Sequence, residues 1–116
     1  MARPQRERKI CSPPENTRFS PVDAPARGEV ILTLDEYEAV RLVDYLDCTH
    51  EQCAQIMRIS RTTATEIYAS ARKKLARALV TGCALVVSGG NVVLCDGAES
   101  CGQPGCPRIT DKHEGA

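Results

Sequence analysis

Apolar side chains recur at Leu34, Tyr37, Ala39, Val40, Val43 and Leu46, a spacing of three and four that lines one face of a helix. Thr33-Leu34-Asp35-Glu36 supplies its start. In such a capping box the threonine hydroxyl accepts from an early helical amide, while the glutamate three residues on reaches back to the cap amide. The spacing predicts a first helix from Leu34 to near Asp47, with Asp35, Glu36 and Glu38 by the positive end of its dipole. Thr49-His50-Glu51-Gln52 repeats the box and predicts a short helix over 50–57 with Cys53, Ile56 and Met57 inward. Ser60 then caps a third over 61–80, where Ala64, Ile67, Tyr68, Ala71, Leu75, Ala78 and Leu79 keep helical spacing up to the stop at Gly82.

Beyond Gly82 the period becomes strand-like. Ala84-Leu85-Val86-Val87 and Val92-Val93-Leu94 flank Ser88-Gly89-Gly90-Asn91, and glycines that take positive φ are the mark of a tight hairpin. Ahead of the helices, Pro4, Pro13, Pro14, Pro21 and Pro25 exclude helix. A short strand over Lys9 to Cys11 is expected there, then an irregular segment in which Phe19 and Val22 tuck against the core, then an extended entry from Glu29 to Leu32. The expected fold is mainly α: a basic, proline-rich arm (1–28), a three-helix helix-turn-helix domain with a short C-terminal β-hairpin (29–94), and an irregular tail rich in cysteine, glycine and proline (95–116).

Two helices joined by about three residues, the first short and the second long, form the helix-turn-helix pattern. With Ala54 as the small residue where they cross, the positions kept apolar fall on Cys53, Met57, Ile59, Ala64 and Ile67. The turn carries Arg58 where such motifs favour glycine, and a left-handed non-glycine residue costs about 1 kcal/mol. Reading base edges calls for arginine and short polar side chains at the start of the second helix. Arg61, Thr62, Thr65 and Glu66 meet that need: arginine pairs with guanine, threonine touches a thymine methyl, and glutamate accepts from a cytosine amine. Ser60, Thr63, Arg72, Lys73, Lys74 and Arg77 suit phosphates, which position the protein without specifying sequence.

Charge sharpens this picture. The 116-residue chain has 15 basic and 15 acidic side chains. Residues 57–80 hold six basic and one acidic, whereas residues 12–56 hold three and nine. A basic block set against an acidic one makes a surface that attracts anions, with a merely solvated helix face as the competing reading. Arg3 and Arg6 in the opening segment suit a minor groove, or simply a charged terminus.

The stretch Leu32-Thr33-Leu34-Asp35-Glu36-Tyr37-Glu38-Ala39-Val40-Arg41-Leu42, with Gln52, Ile59-Ser60-Arg61-Thr62-Thr63 and Ser70-Ala71-Arg72-Lys73-Lys74-Leu75, resembles the prokaryotic family known as domain of unknown function 134. Members also open with Met-Ala-Arg-Pro, and the likeness extends over about residues 1–90. The resemblance implies a helix-turn-helix like that of region four of sigma-70 factors and a DNA-binding role, with no assigned operator or effector. Family members usually have glycine at the position of Arg58.

Seven cysteines are high usage for a chain without a secretory signal or an apolar span. A cytoplasmic protein is expected, in which thiols stay reduced and disulfide scaffolding does not arise. Cys48, Cys53 and Cys83 lie in or beside helices and read as small core hydrophobes. Cys95, Cys101 and Cys106 sit in a tail with no apolar means of ordering, and thiolates suit zinc or an iron-sulfur cluster. Cys11 or His113 would be the fourth ligand; the competing reading is a disordered tail with oxidisable thiols.

Three functions compete. The first is a transcription regulator that binds duplex DNA, working as a homodimer because one helix reads few base pairs, and responsive to metal or redox state. The second is an interaction module whose acidic first helix meets a basic partner such as an RNA polymerase surface. The third is a small thiol or metal protein. Enzymatic activity is not expected, since the chain has neither a catalytic or phosphate-loop motif nor the length to enclose a substrate.

Overall fold

All three helices form at the caps the sequence supplies in the computed structural model, which describes residues 7–95. Helix α1 (Leu34–Val40) begins at Thr33, whose amide donates to Glu36 Oε1 at 2.9 Å. Asp35 joins the box: its Oδ1 accepts from the Glu36 amide at 3.1 Å and from the Thr33 hydroxyl. The chain then widens into a π-helical stretch, Arg41–Tyr45, in which the Leu46 amide reaches back five residues to the Arg41 carbonyl at 3.0 Å. Asp47, in the left-handed region at φ 61°, ends it. Helix α2 (His50–Met57) has the complete box, Gln52 N–H to Thr49 Oγ1 at 3.0 Å and Thr49 N–H to Gln52 Oε1 at 2.9 Å. Helix α3 (Arg61–Thr81) starts at Ser60 and stops at Gly82, φ 77°.

Five short strands accompany the helices among the described residues, so the architecture is mixed rather than mainly α: β1 (Arg8–Ile10), β2 (Arg18–Phe19), β3 (Glu29–Leu32), β4 (Ala84–Val87) and β5 (Val92–Leu94). The expected hairpin between β4 and β5 does not form. Strand β4 is the centre of a three-stranded sheet, antiparallel to β2 and parallel to β3, with both edges taken. Strand β5 pairs instead with β1, in parallel, Arg8 opposite Val92 and Ile10 opposite Leu94. Gly89 (φ 79°) and Gly90 (φ 101°) do supply left-handed backbone, but they carry the chain across the start of α1. There the Leu34 amide donates to the Gly89 carbonyl at 2.9 Å and the Ser88 amide to the Leu32 carbonyl at 3.0 Å. A Cβ at Gly90 would stand 2.9 Å from Asp35 Oδ1, which is closer than side chains tolerate.

Parallel strands need a long crossover. Here the crossover from β3 to β4 is the entire three-helix unit.

Helix α1 is consequently covered on two sides, and its buried face differs from the single stripe of the sequence pattern. Leu34, Tyr37 and Val40 pack with Leu32, Ala71, Leu75 and Val87 beneath the larger sheet. Ala39 and Leu42 enter a second cluster with Cys53, Ala54, Ile56 and Met57 of α2 and Ala64 and Ile67 of α3. Cys11 joins that cluster and Ile10 is fully buried, so the first segment contributes a strand and core residues. Phe19 and Val22 do not tuck inward: they are 52% and 96% exposed. Strand β2 lies at the sheet's edge, and Val22 follows in the proline-flanked stretch beyond it.

Among the described residues no helix is long and apolar enough to cross a membrane.

Candidate functional site

The turn between α2 and α3 has the geometry that its sequence requires. Arg58 takes the left-handed conformation, φ 62° and ψ 47°, and the chain closes with Ile59 N–H on the Ala54 carbonyl at 3.0 Å. The residue that departs from glycine thus keeps the glycine geometry at a cost of about 1 kcal/mol. Met57 is fully buried and Ile59 half-buried, the first beneath the turn and the second against the cluster that joins both helices. Ser60 then caps α3: its Oγ accepts from Thr63 N–H at 3.1 Å and donates to Thr63 Oγ1 at 2.9 Å. Both hydroxyls are therefore occupied in starting the helix.

Helix α3 buries Ala64, Ile67, Ala71 and Ala78 and turns its opposite face outward. On that face stand Thr62, Thr65, Glu66, Ala69, Lys73, Ala76 and Arg77, all exposed, with Arg61 exposed at the helix start. Ala69 and Ala76, which the sequence reading passed over, keep the stripe low between the longer side chains, so a flat or grooved surface can approach the helix backbone. Among the described residues nothing engages the side chains of Arg61, Thr62, Glu66, Lys73 or Arg77 in a hydrogen bond or ion pair.

Other residues expected on the interface have internal partners. Thr65 Oγ1 lies 2.9 Å from His50 Nδ1 at the start of α2. The His50 ring meets Tyr68 edge-on at 5.1 Å between centroids, and the Tyr68 hydroxyl donates to Asp44 at 2.6 Å, which pushes its phenol pKa up. Arg72 closes the chain, donating to the Tyr68 hydroxyl at 3.2 Å and lying 3.7 Å from Asp44. This relay ties the π-helical stretch, α2 and α3 together and sets the angle at which α3 is presented. Tyr68 read as plain core in the sequence; the one available signal was Tyr68 and Arg72 at helical i,i+4 spacing.

Lys74 faces the other way. Its Nζ donates to Glu36 Oε1 at 2.8 Å, while Ser70 Oγ donates to Glu36 Oε2 at 2.6 Å. Burial raises the cost of a charged Glu36, but the bonds from Lys74, Ser70 and the Thr33 amide outweigh it and hold the carboxyl below the ordinary carboxylate range. A lowered folded pKa contributes stability that is present at neutral pH and lost as pH falls through the folded value. Denaturant midpoints are therefore expected to drop below about pH 4, and Glu36→Gln should be less stable at pH 7 with a flatter acid limb. An unchanged acid limb in the variant would show that Glu36 does not drive it.

The acidic residues of α1 are similarly consumed. Asp35, Glu36 and Glu38 are buried, and Glu38 is held in two bonds of 2.9 Å each from Arg41 Nε and Nη2. The helix presents little of the negative surface that a basic partner would meet.

The cysteines separate as their neighbourhoods dictate. Cys48 and Cys53 are buried, and burial pushes both thiols up, Cys53 to about 12, which suits small hydrophobes. Cys83 is half-buried beside Thr81 Oγ1 and the Arg27 carbonyl. Cys11 and Cys95 come together: each follows the last paired residue of its strand, and Cys95 N–H donates to the Ile10 carbonyl at 2.9 Å. Cys101, Cys106 and His113 lie outside the described residues, as do Arg3 and Arg6. Among the described residues no group of three or more metal-ligating side chains gathers.

The sequence profile of a family described as "Protein of unknown function DUF134" matches residues 1–94. The chain belongs to the DUF134 family. Among its DUF134 relatives, a UPF0251 protein of Desulfitobacterium hafniense (strain Y51) is 49% identical over 109 residues, covering 91% of this chain and 86% of that protein. A UPF0251 protein of Thermoanaerobacter pseudethanolicus is 47% identical over 93 residues, 78% of this chain and 79% of that one. A third, from Halothermothrix orenii, is 45% identical over 96 residues, 81% and 71% respectively. No solved structure matches the chain.

Proposed function

We propose that this DUF134 protein binds duplex DNA through α3 and acts, without catalysis of its own, as a sequence-specific transcription regulator in the cytoplasm. The observation that carries the reading is the outward stripe of α3. Arg61, Thr62 and Glu66 stand at its start, Lys73 and Arg77 farther along, and small Ala69 and Ala76 between them. A major groove admits a helix whose first turns carry arginine and short polar side chains, and cations one to three turns on reach the phosphates. Arg61, Thr62 and Glu66 read base edges. Thr65, bonded to His50, contributes its methyl and fixes the helix rather than offering a free hydroxyl. A single reading helix spans few base pairs, so two copies act on two half-sites about 34 Å apart.

The test is recovery and sequencing of genomic fragments bound by the purified full chain, followed by titration of the enriched duplex. Arg61→Ala should lower preference among sequences by about 1–3 kcal/mol, and Lys73→Ala should weaken all duplexes alike. No enriched sequence, or equal loss of preference from both variants, would overturn the reading. The second reading, a module that docks on RNA polymerase through its acidic helix, is disfavoured by the internal pairing of Glu36 and Glu38.

A further inference from the structure

We propose that the apolar cleft at the C-terminal end of α3 is the surface on which a second copy of this chain docks, each copy setting Leu79 into the cleft of the other. The inference rests on the two-copy reading above only in naming its contact, and it is tested without DNA. The cleft has a volume of about 390 Å³, with Phe19 and Pro21 on one side, Ala78 and Leu79 of α3 on the other and Leu85 of β4 at its floor. Phe19 stands opposite Leu85 in the register of β2 with β4, so both side chains share the face of the sheet that α3 covers. Leu85 packs there with Leu75. The helix stops at Gly82 and Ala78 is small, so the space beneath Phe19 stays open.

Leu79 keeps the apolar spacing of Tyr68 and Leu75, yet it is 84% exposed and Val80 beside it 81%. The stripe that packs α3 thus runs past the chain's own core. With Phe19 and with Val22 at the rim, these side chains present about 400 Å² of apolar surface at about 100 Å² each, the size of patch that marks a contact on a soluble chain. Ridge and cleft adjoin, which is the self-complementarity that a twofold contact needs: Leu79 of one copy enters beside Phe19 and Leu85 of the other, and reciprocally. Doubled across the axis and enlarged by the walls of the cleft, the contact reaches about 1,000 Å², the lower bound of specific interfaces. The sequence outside residues 7–95 offers Met1 and Ile109 as its large apolar side chains, too few to cover the patch in place of a second copy. Leu79 lies two residues beyond Arg77, and helical side chains at that spacing do not face the same way, so the contact leaves Arg77 on the outward stripe. Arg61 precedes Leu79 by 18 residues, about 27 Å of helix, and the two reading ends are held apart.

Sedimentation of the full, reduced chain without DNA is expected to show a monomer–dimer equilibrium with a micromolar dissociation constant, in keeping with an interface of that size. Leu79→Glu should raise the constant by more than about 30-fold, the loss of a side chain central to an interface. Phe19→Thr, which keeps the strand preference, should raise it as well. Both variants should retain the far-ultraviolet circular dichroism of the parent, because the side chains they change are exposed. Tyr45→Ser, at an exposed aromatic outside the cleft, should dimerise as before. A single-chain mass even at millimolar concentration, a dimer that Leu79→Glu leaves intact, or a small apolar molecule retained on the single chain and lost in Leu79→Glu would each overturn the assignment. Failure of the DNA reading would instead leave the dimer in place and show itself as the absence of an enriched sequence.

Discussion

Replacing Arg41 with alanine is expected to destabilise the fold by about 3–5 kcal/mol, the range for breaking a buried ion pair from one side. Glu38 is wholly buried, and Arg41, 18% exposed, supplies the two bonds of 2.9 Å that satisfy its oxygens. Removing the guanidinium leaves a buried carboxylate that still accepts from the Cys11 amide at 3.2 Å but has no cation on its own helix to replace the lost charge. The loss falls where three elements meet, since Glu38 sits on α1, Arg41 opens the π-helical stretch and Cys11 follows β1. Urea denaturation of the full chain measures it. Glu38→Leu combined with Arg41→Met should recover much of the loss, because a matched apolar pair carries no desolvation cost. A single variant as stable as the parent would show that the pair is not structurally required.

Duplex affinity is expected to fall with salt at a slope set by Lys73 and Arg77, because Arg72 and Lys74 are bonded to Asp44, Tyr68 and Glu36. Two phosphate contacts give a slope of about −1.8 per bound copy in logarithmic units, against about −3.6 if all four cations were spent on phosphates. Between about 50 and 200 mM salt that amounts to roughly a tenfold loss for one copy and a hundredfold for two. Fluorescence anisotropy across that range reads the slope. Lys73→Ala should flatten it by about 0.9 per copy, and Lys74→Ala should leave it in place while lowering stability through Glu36. Affinity that ignores salt would remove the basic face as the contact surface.

The helices were legible because their signals are local. Thr33, Thr49, Ser60 and Gly82 act on residues within one turn, and α2 forms over the span its box predicts. Strand pairing was legible only in part. The β-branched runs are strands, yet nothing in Ala84–Val87 or Val92–Leu94 states a partner, and a Gly-Gly turn serves a crossing over α1 as readily as a hairpin. The site divides along the same line. Arg61, Thr62 and Glu66 could be placed from helix phase alone. That Lys74 turns inward depends on Glu36, 38 residues earlier, and that Thr65 is occupied depends on His50, 15 residues earlier. Periodicity cannot express such contacts, since it assigns a face to a residue and not a partner.

The pairing of β1 with β5 also orders events in time. Arg8 meets Val92 and Ile10 meets Leu94, so the first strand waits for its partner until nearly all the described chain has left the ribosome. β3 likewise waits for β4 across the whole helical crossover. Long sequence separation between paired strands raises the entropic barrier to folding and slows it relative to a helical bundle of the same size. During synthesis the three helices can assemble first, around Leu42, Met57 and Ile67, while β1 and β3 remain unpaired edges. Such edges invite pairing with other chains. Lys9 and Arg8 on the first of them, and Glu29 on the second, place charge on each waiting strand, the same means by which folded proteins keep exposed edges from recruiting one another.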